Sequence, residues 1–137
     1  SDSRAPLPQG RGEGVLVIDD EQVIRNVFAT ILKHHGYGVF SASNGKEGVS
    51  LYERHREEIA LVVVDMIMPG MDGVAVVKAL RMLNPAVRVI VVSGMMENDQ
   101  LFTGDGLSDV ELIRKPVMSD VLISKIAEVL SKPASGK

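Results

Sequence analysis

Short, wholly apolar runs alternate along this chain with segments whose apolar residues recur every three or four positions. The run VLVI at 15–18 is rich in β-branched residues and predicts a buried strand. Over 21–35, Val23, Ile24, Val27, Phe28, Ile31 and Leu32 follow the spacing of an amphipathic helix, and Gly36 stops it. A second strand is expected at 37–41. Asn44-Gly45 then opens a helix reaching about residue 56, with Val49 and Tyr52 facing inward. A third strand at 61–64 runs straight into Asp65. Pro69-Gly70 breaks the chain, Asp72 is placed to cap a helix over 73–83, and Asn84-Pro85 ends it. The most apolar strand follows at 87–92, the shortest at 110–113, and a last helix at 119–130 carries Val121, Leu122, Ile126, Val129 and Leu130 on one stripe. Between the last two strands, 95–108 should hold a further helix. Gly104 and Gly106 each cost about 1 kcal/mol there relative to Ala, so it is expected to be short or mobile.

Five strands alternating with helices predict an α/β fold with a parallel sheet covered on both faces. Right-handed crossovers and one reversal of direction give a doubly wound, five-stranded (βα)5 sheet of order 2-1-3-4-5, flavodoxin-like in topology. Residues 1–13, with two Pro and two Gly, read as a flexible linker or tag remnant; 14–131 read as the folded domain and 132–137 as a flexible tail.

In such sheets ligands gather at the carboxyl ends of the strands, near the switch point between strands 1 and 3. Asp19-Asp20 follow strand 1, Asp65 follows strand 3, Ser93 follows strand 4, and Lys115-Pro116 follow strand 5. Taken singly, each has a plain structural reading: a helix N-cap pair, a turn acid, a turn serine, an exposed lysine. Together, at the same sheet edge, they describe a site. Clustered carboxylates repel one another, and a hard divalent cation, Mg²⁺ or Mn²⁺, relieves this with oxygen ligands. Asp20 and Asp65 are the expected direct ligands, with Asp19 acting through water. Such a site suits phosphoryl transfer to a carboxylate, with Lys115 and Ser93 taking phosphoryl oxygens.

Composition narrows the alternatives. The 137 residues allow one domain, and a hydrophobic fraction of 45% supplies a core. The net charge of −3 gives no reason to expect direct nucleic-acid binding. The absence of cysteine removes disulfides, thiolate metal sites and thiol nucleophiles. No apolar run is long enough to span a bilayer and no signal-peptide core is visible, so a cytoplasmic location is expected.

The segments VLVIDDE, VVVDMIMPGMDG, VIVVSG and RKP resemble the motifs of the response-regulator receiver domain of two-component signalling. The resemblance covers about residues 14–130. It implies that Asp65 is the phosphoacceptor, Asp19 and Asp20 the acid pair, the backbone carbonyl of Ile67 a further metal ligand, Ser93 the hydroxyl residue and Lys115 the phosphate-sensing lysine. It also implies a cis Lys115–Pro116 bond, a phosphoryl supply from a histidine kinase or histidine phosphotransfer protein, and no catalysis beyond the domain's own phosphorylation and dephosphorylation. Gln22, Arg25 and Asn26, on the exposed face of the first helix, are the expected docking surface for that donor.

Several positions depart from the family's usual pattern, among them Leu107-Ser108 in place of the glycine-alanine pair that usually precedes the fifth strand. Leu112 stands where an aromatic residue usually swings inward, and Gly94 where Ala is usual. Ile67 and Met95 are apolar and should hinder the water that hydrolyses the acyl phosphate. The context is open between the receiver of a hybrid histidine kinase, a stand-alone phosphorelay receiver and the receiver of a DNA-binding regulator. Other readings are a pseudo-receiver that docks proteins without phosphorylation, and a flavodoxin-like FMN protein. The last is disfavoured because Asp19-Asp20-Glu21 would repel a flavin phosphate.

Overall fold

The computed structural model describes residues 8–94 and 110–132. The expected helix over 95–108, and Met95 with it, lies outside the described residues. The elements in chain order are β1 (Gly14–Ile18), α1 (Gln22–His34), β2 (Gly38–Ala42), α2 (Gly45–Arg54), β3 (Ile59–Asp65), α3 (Gly73–Leu83), β4 (Val89–Ser93), β5 (Glu111–Arg114) and α4 (Ser119–Ser131). All strands pair in parallel in the order β2-β1-β3-β4-β5, the doubly wound sheet predicted.

The sheet divides the core into two. On one face Leu16, Ile18, Val62, Val64, Val89 and Val91 meet Tyr52 of α2 and Val76, Val77 and Leu80 of α3. On the other, Val15, Val17, Leu61, Val63, Ile90 and Val92 meet Phe28 and Leu32 of α1 and Leu122, Ile123 and Ile126 of α4. Apolar residues on both sides of each central strand explain the continuous runs in the sequence. Gly48 lets α2 lie directly on Ile18, because a side chain there would collide with it.

Helix ends follow local chemistry. Asp72 accepts a hydrogen bond from Ala75 N at 3.0 Å and Asn44 one from Glu47 N at 2.8 Å, while Glu47 reaches back to Ser43 N at 2.8 Å. Gly36, at φ +89, reverses the chain after α1 in the left-handed region open to glycine.

Several expectations shift. Strand β3 begins two residues before the expected 61, β4 starts at Val89 and takes in Ser93, β2 and β5 each lie one residue later, and α2 ends at Arg54 rather than about 56. Val23 and Val27, expected to face inward, are 70% and 46% exposed, and Val121 of α4 is 46% exposed. Ile24, Phe28, Ile31 and Leu32 pack on the sheet, and the two valines lie outside that contact. Residues 10–13, within the expected leader, bond to the turn after α1. Gly10 N donates to His35 O at 2.6 Å, Gly12 N to Gly36 O at 2.7 Å, and Gly38 N to Glu13 O at 2.9 Å.

Candidate functional site

The site begins where β1 ends. Asp19 N donates to Ala42 O at 3.1 Å, which ties the acid turn to the end of β2. The Asp19 carboxylate accepts from Glu21 N at 2.9 Å, and the Asp19 carbonyl accepts from Arg25 Nη1 at 2.7 Å. Asp19 is buried and Asp20 exposed. Asp65 closes β3 opposite Val92 and is itself buried, 6% exposed. The next residue, Met66, is fixed at both ends of its peptide: its N–H donates to Val92 O at 2.9 Å and its carbonyl accepts from Gly73 N at 2.9 Å. Ile67 follows, 57% exposed at the rim.

Ser93 ends β4, buried at 1% exposure. Its carbonyl accepts from Lys115 N at 2.9 Å, continuing the β4–β5 ladder past Arg114. The Lys115 ammonium then stands 3.2 Å from Asp65 Oδ1. The Lys115–Pro116 bond is cis. Gly94 lies against the Lys115 stem, where an added Cβ would sit at an ordinary 3.5 Å from Cδ. Leu112 pairs in register with Val91 and is half-buried on the face of the sheet shared with α2 and α3.

The structure therefore brings Asp19, Asp20, Asp65, Ser93 and Lys115 to one sheet edge, as the topology predicted. One carboxylate oxygen from each of Asp19, Asp20 and Asp65 lies within 4.8 Å of the others. The pKa of Asp19 is raised above its ordinary 3.8. Burial is the main cause; the hydrogen bond from Glu21 N opposes it, Asp65 and Asp20 add to it, and Lys115 opposes it. Asp65 Oδ1 is buried without a hydrogen-bond partner, since Lys115 approaches it outside hydrogen-bonding geometry. Three convergent carboxylates, one with an unsatisfied buried oxygen, fit a hard oxygen-seeking cation.

Beside the acids opens a groove of about 570 Å³, lined by Asp19, Lys115 and the apolar Ile24, Val27, Phe28 and Val117. Sequence reasoning placed Arg25 on the exposed docking face. It is instead half-buried and holds the acid turn. Its place one turn into the helix that follows the acid pair was the available signal.

The family model for the response regulator receiver domain matches residues 15–127. The chain belongs to the response regulator receiver family. Receivers are signalling modules of two-component systems and bind Mg²⁺ at an acidic pocket. Among curated proteins, the chain is 37% identical over 120 residues to the probable transcriptional regulator ycf27 of Porphyridium aerugineum, covering 88% of this chain and 49% of that protein. It is 28% identical to sporulation initiation phosphotransferase F of Bacillus subtilis, covering 86% of this chain and 94% of the relative. The chain thus spans about half the length of the first relative and nearly all of the second. Among solved structures, a receiver domain from Clostridium thermocellum superposes with a TM-score of 0.79 at 29% identity, covering 85% of this chain and 93% of that one. The receiver of the hybrid histidine kinase CckA gives 0.72 at 28% identity, covering 86% and 99%. Among the described residues, no helix is long and apolar enough to cross a membrane.

Proposed function

We propose that this receiver accepts a phosphoryl group on Asp65 from a phosphohistidine and passes the signal on by conformational change or onward transfer. The observation that carries this reading is the convergence of Asp19, Asp20 and Asp65 within 4.8 Å, with the Lys115 ammonium 3.2 Å from Asp65. Asp20, Asp65 and the Ile67 carbonyl would hold Mg²⁺ directly and Asp19 through water; the cation supplies charge neutralisation between the carboxylate and the incoming phosphoryl group.

The chain's own residues do the rest. A carboxylate oxygen of Asp65 attacks phosphorus, the P–N bond to the donor imidazole breaks, and the imidazole nitrogen takes a proton. Lys115 would draw its ammonium from the Asp65 oxygen to a phosphoryl oxygen, and the Ser93 hydroxyl would donate a hydrogen bond to another. Ile67, exposed at the rim, is an apolar neighbour for any attacking water, so the acyl phosphate should be slow to hydrolyse. The protein acts on itself alone in this scheme.

The donor is a histidine kinase or histidine phosphotransfer protein. It would dock on the groove lined by Asp19, Val27 and Lys115. The exposed Val23 and Val27 give the donor an apolar rim to cover. Leu112 sits among packed aliphatic residues, so the response at this position would be a repacking rather than the swing of a ring.

The test is incubation with acetyl phosphate and Mg²⁺, read by intact mass. A gain of one phosphoryl group, absent in Asp65→Asn, supports the reading. An unmodified wild type would leave a domain that docks partners without phosphorylation.

A further inference from the structure

We propose that Arg25 is a positioning residue for the metal-holding turn, fixing the Asp19–Asp20 peptide so that the acid pair faces Asp65 before a cation arrives. This rests on the reading that the acid trio holds Mg²⁺.

Arg25 stands early in α1, where its N–H donates to Glu21 O at 3.1 Å and closes the first helical turn. Its side chain runs back along the helix axis, and Nη1 meets the Asp19 carbonyl at 2.7 Å, a short charge-assisted bond. Asp19 is then held at every polar group. Its N–H is on Ala42, its carboxylate on Glu21 N, and its carbonyl on Arg25. Asp20 differs. It is the exposed member of the trio, and the peptide plane leading into it carries the carbonyl that Arg25 grips. Rotation of that plane would swing the Asp20 Cα–Cβ bond away from Asp65. A guanidinium on the Asp19 carbonyl opposes the rotation.

The Arg25 charge is also felt at Glu47, in the first turn of α2 after β2. The Glu47 carboxylate accepts from Ser43 N at 2.8 Å and Ser43 Oγ at 2.9 Å. Its pKa is lowered, chiefly by these two Ser43 bonds and in smaller part by the positive charges of Arg25 and Arg54.

Position and charge predict opposite signs. A positive charge beside an acid cluster repels Mg²⁺, so removing it by charge alone tightens binding. If Arg25 works by holding the peptide, removing it weakens binding despite the lost repulsion. Outer-shell partners of metal ligands typically change affinity by about 10–100-fold; on a partly exposed turn, with the charge effect opposing, we expect about fivefold weaker binding. The experiment is isothermal titration of Mg²⁺ into wild type, Arg25→Ala and Arg25→Gln, with thermal unfolding in EDTA to confirm that each variant is folded. Arg25→Gln keeps an amide donor without the charge, so its affinity should return to within about twofold of wild type. Arg25→Ala binding as tightly as wild type, or more tightly, overturns the proposal. So does equal weakening in both variants, which would assign the effect to something other than the donated bond. A wild type that takes up no Mg²⁺ overturns this proposal together with the metal reading, whereas Mg²⁺ bound equally by wild type and Arg25→Ala overturns this proposal alone.

Discussion

Replacing Asp19 by Asn should stabilise the metal-free domain, although it removes a residue of the site. The carboxylate is 5% exposed, and one of its oxygens lies within 4.8 Å of oxygens from both Asp20 and Asp65. At an effective dielectric constant near 20, one such pair costs about 3.5 kcal/mol at that separation. Lys115, opposing the shift at Asp19, offsets roughly one pair, and the exposure of Asp20 lets water screen the other. Asn keeps an oxygen for the Glu21 N–H, but a neutral acceptor recovers only about half of that bond's strength. The cost of burying the charge remains and is removed in Asn, so the balance is a gain of about 1 kcal/mol, or about 3–5 °C in Tm for a domain of this size. The assay is thermal unfolding by circular dichroism in EDTA and again with Mg²⁺. Wild type should gain stability from the cation, by about 1.4 kcal/mol at tenfold excess over Kd, and Asp19→Asn should gain less. A variant melting at or below wild type in EDTA would refute the reasoning, because burial of the Asp19 charge, with the repulsion added, would then not outweigh what the carboxylate gains from its bonds.

Other outcomes follow from the same geometry. Lys115→Ala should leave Asp65 able to accept phosphate from acetyl phosphate, but at a rate lower by about tenfold or more, read by mass against time, since one cation on the transferring oxygens is lost. Gly94→Ala should fold and stabilise by about 0.4–1 kcal/mol in denaturant unfolding, because the new methyl meets Lys115 at ordinary contact distance. Phe28→Ala, emptying the α1 side of the core, should cost about 3–5 kcal/mol in the same assay. The Glu111 pKa is lowered from its ordinary 4.5, first by its hydrogen bond from Lys132 at 3.0 Å and then, against burial, by Lys125. A lowered carboxylate pKa gives stability that is present above the unfolded value and lost as pH falls through the folded one. The Tm gap between wild type and Glu111→Gln should therefore be widest near neutrality and close below about pH 4.5.

Most of the fold was legible because its signals are strong and local. The strands are unbroken apolar runs, the helices carry clear periods, and Asp72 and Asn44 cap where their chemistry allows. The site was legible through topology: once strand order is known, Asp19, Asp65 and Lys115 must share an edge. What the pattern hid was width. Periodicity gives the direction of a stripe but not how much of it a neighbour covers, so Val23 and Val27 read as core and stand in solvent. Arg25 was misplaced for a related reason. A charged residue on the polar side of a helix looks solvated, and nothing in its spacing says that its side chain turns back to a carbonyl. Residues 10–13 lack large apolar groups, yet backbone bonds to His35, Gly36 and Gly38 need none.

Those last bonds decide how the domain bears a load. A pull on the chain ahead of Gly10 is resisted first at the turn after α1, through Gly10 to His35 and Gly12 to Gly36, and only afterwards by the ladder of β1. The helix so anchored at its tail is the one whose head carries the arginine gripping the acid turn. Tension at the entrance to the domain and the arrangement of its carboxylates thus share one rigid lever, thirteen residues long.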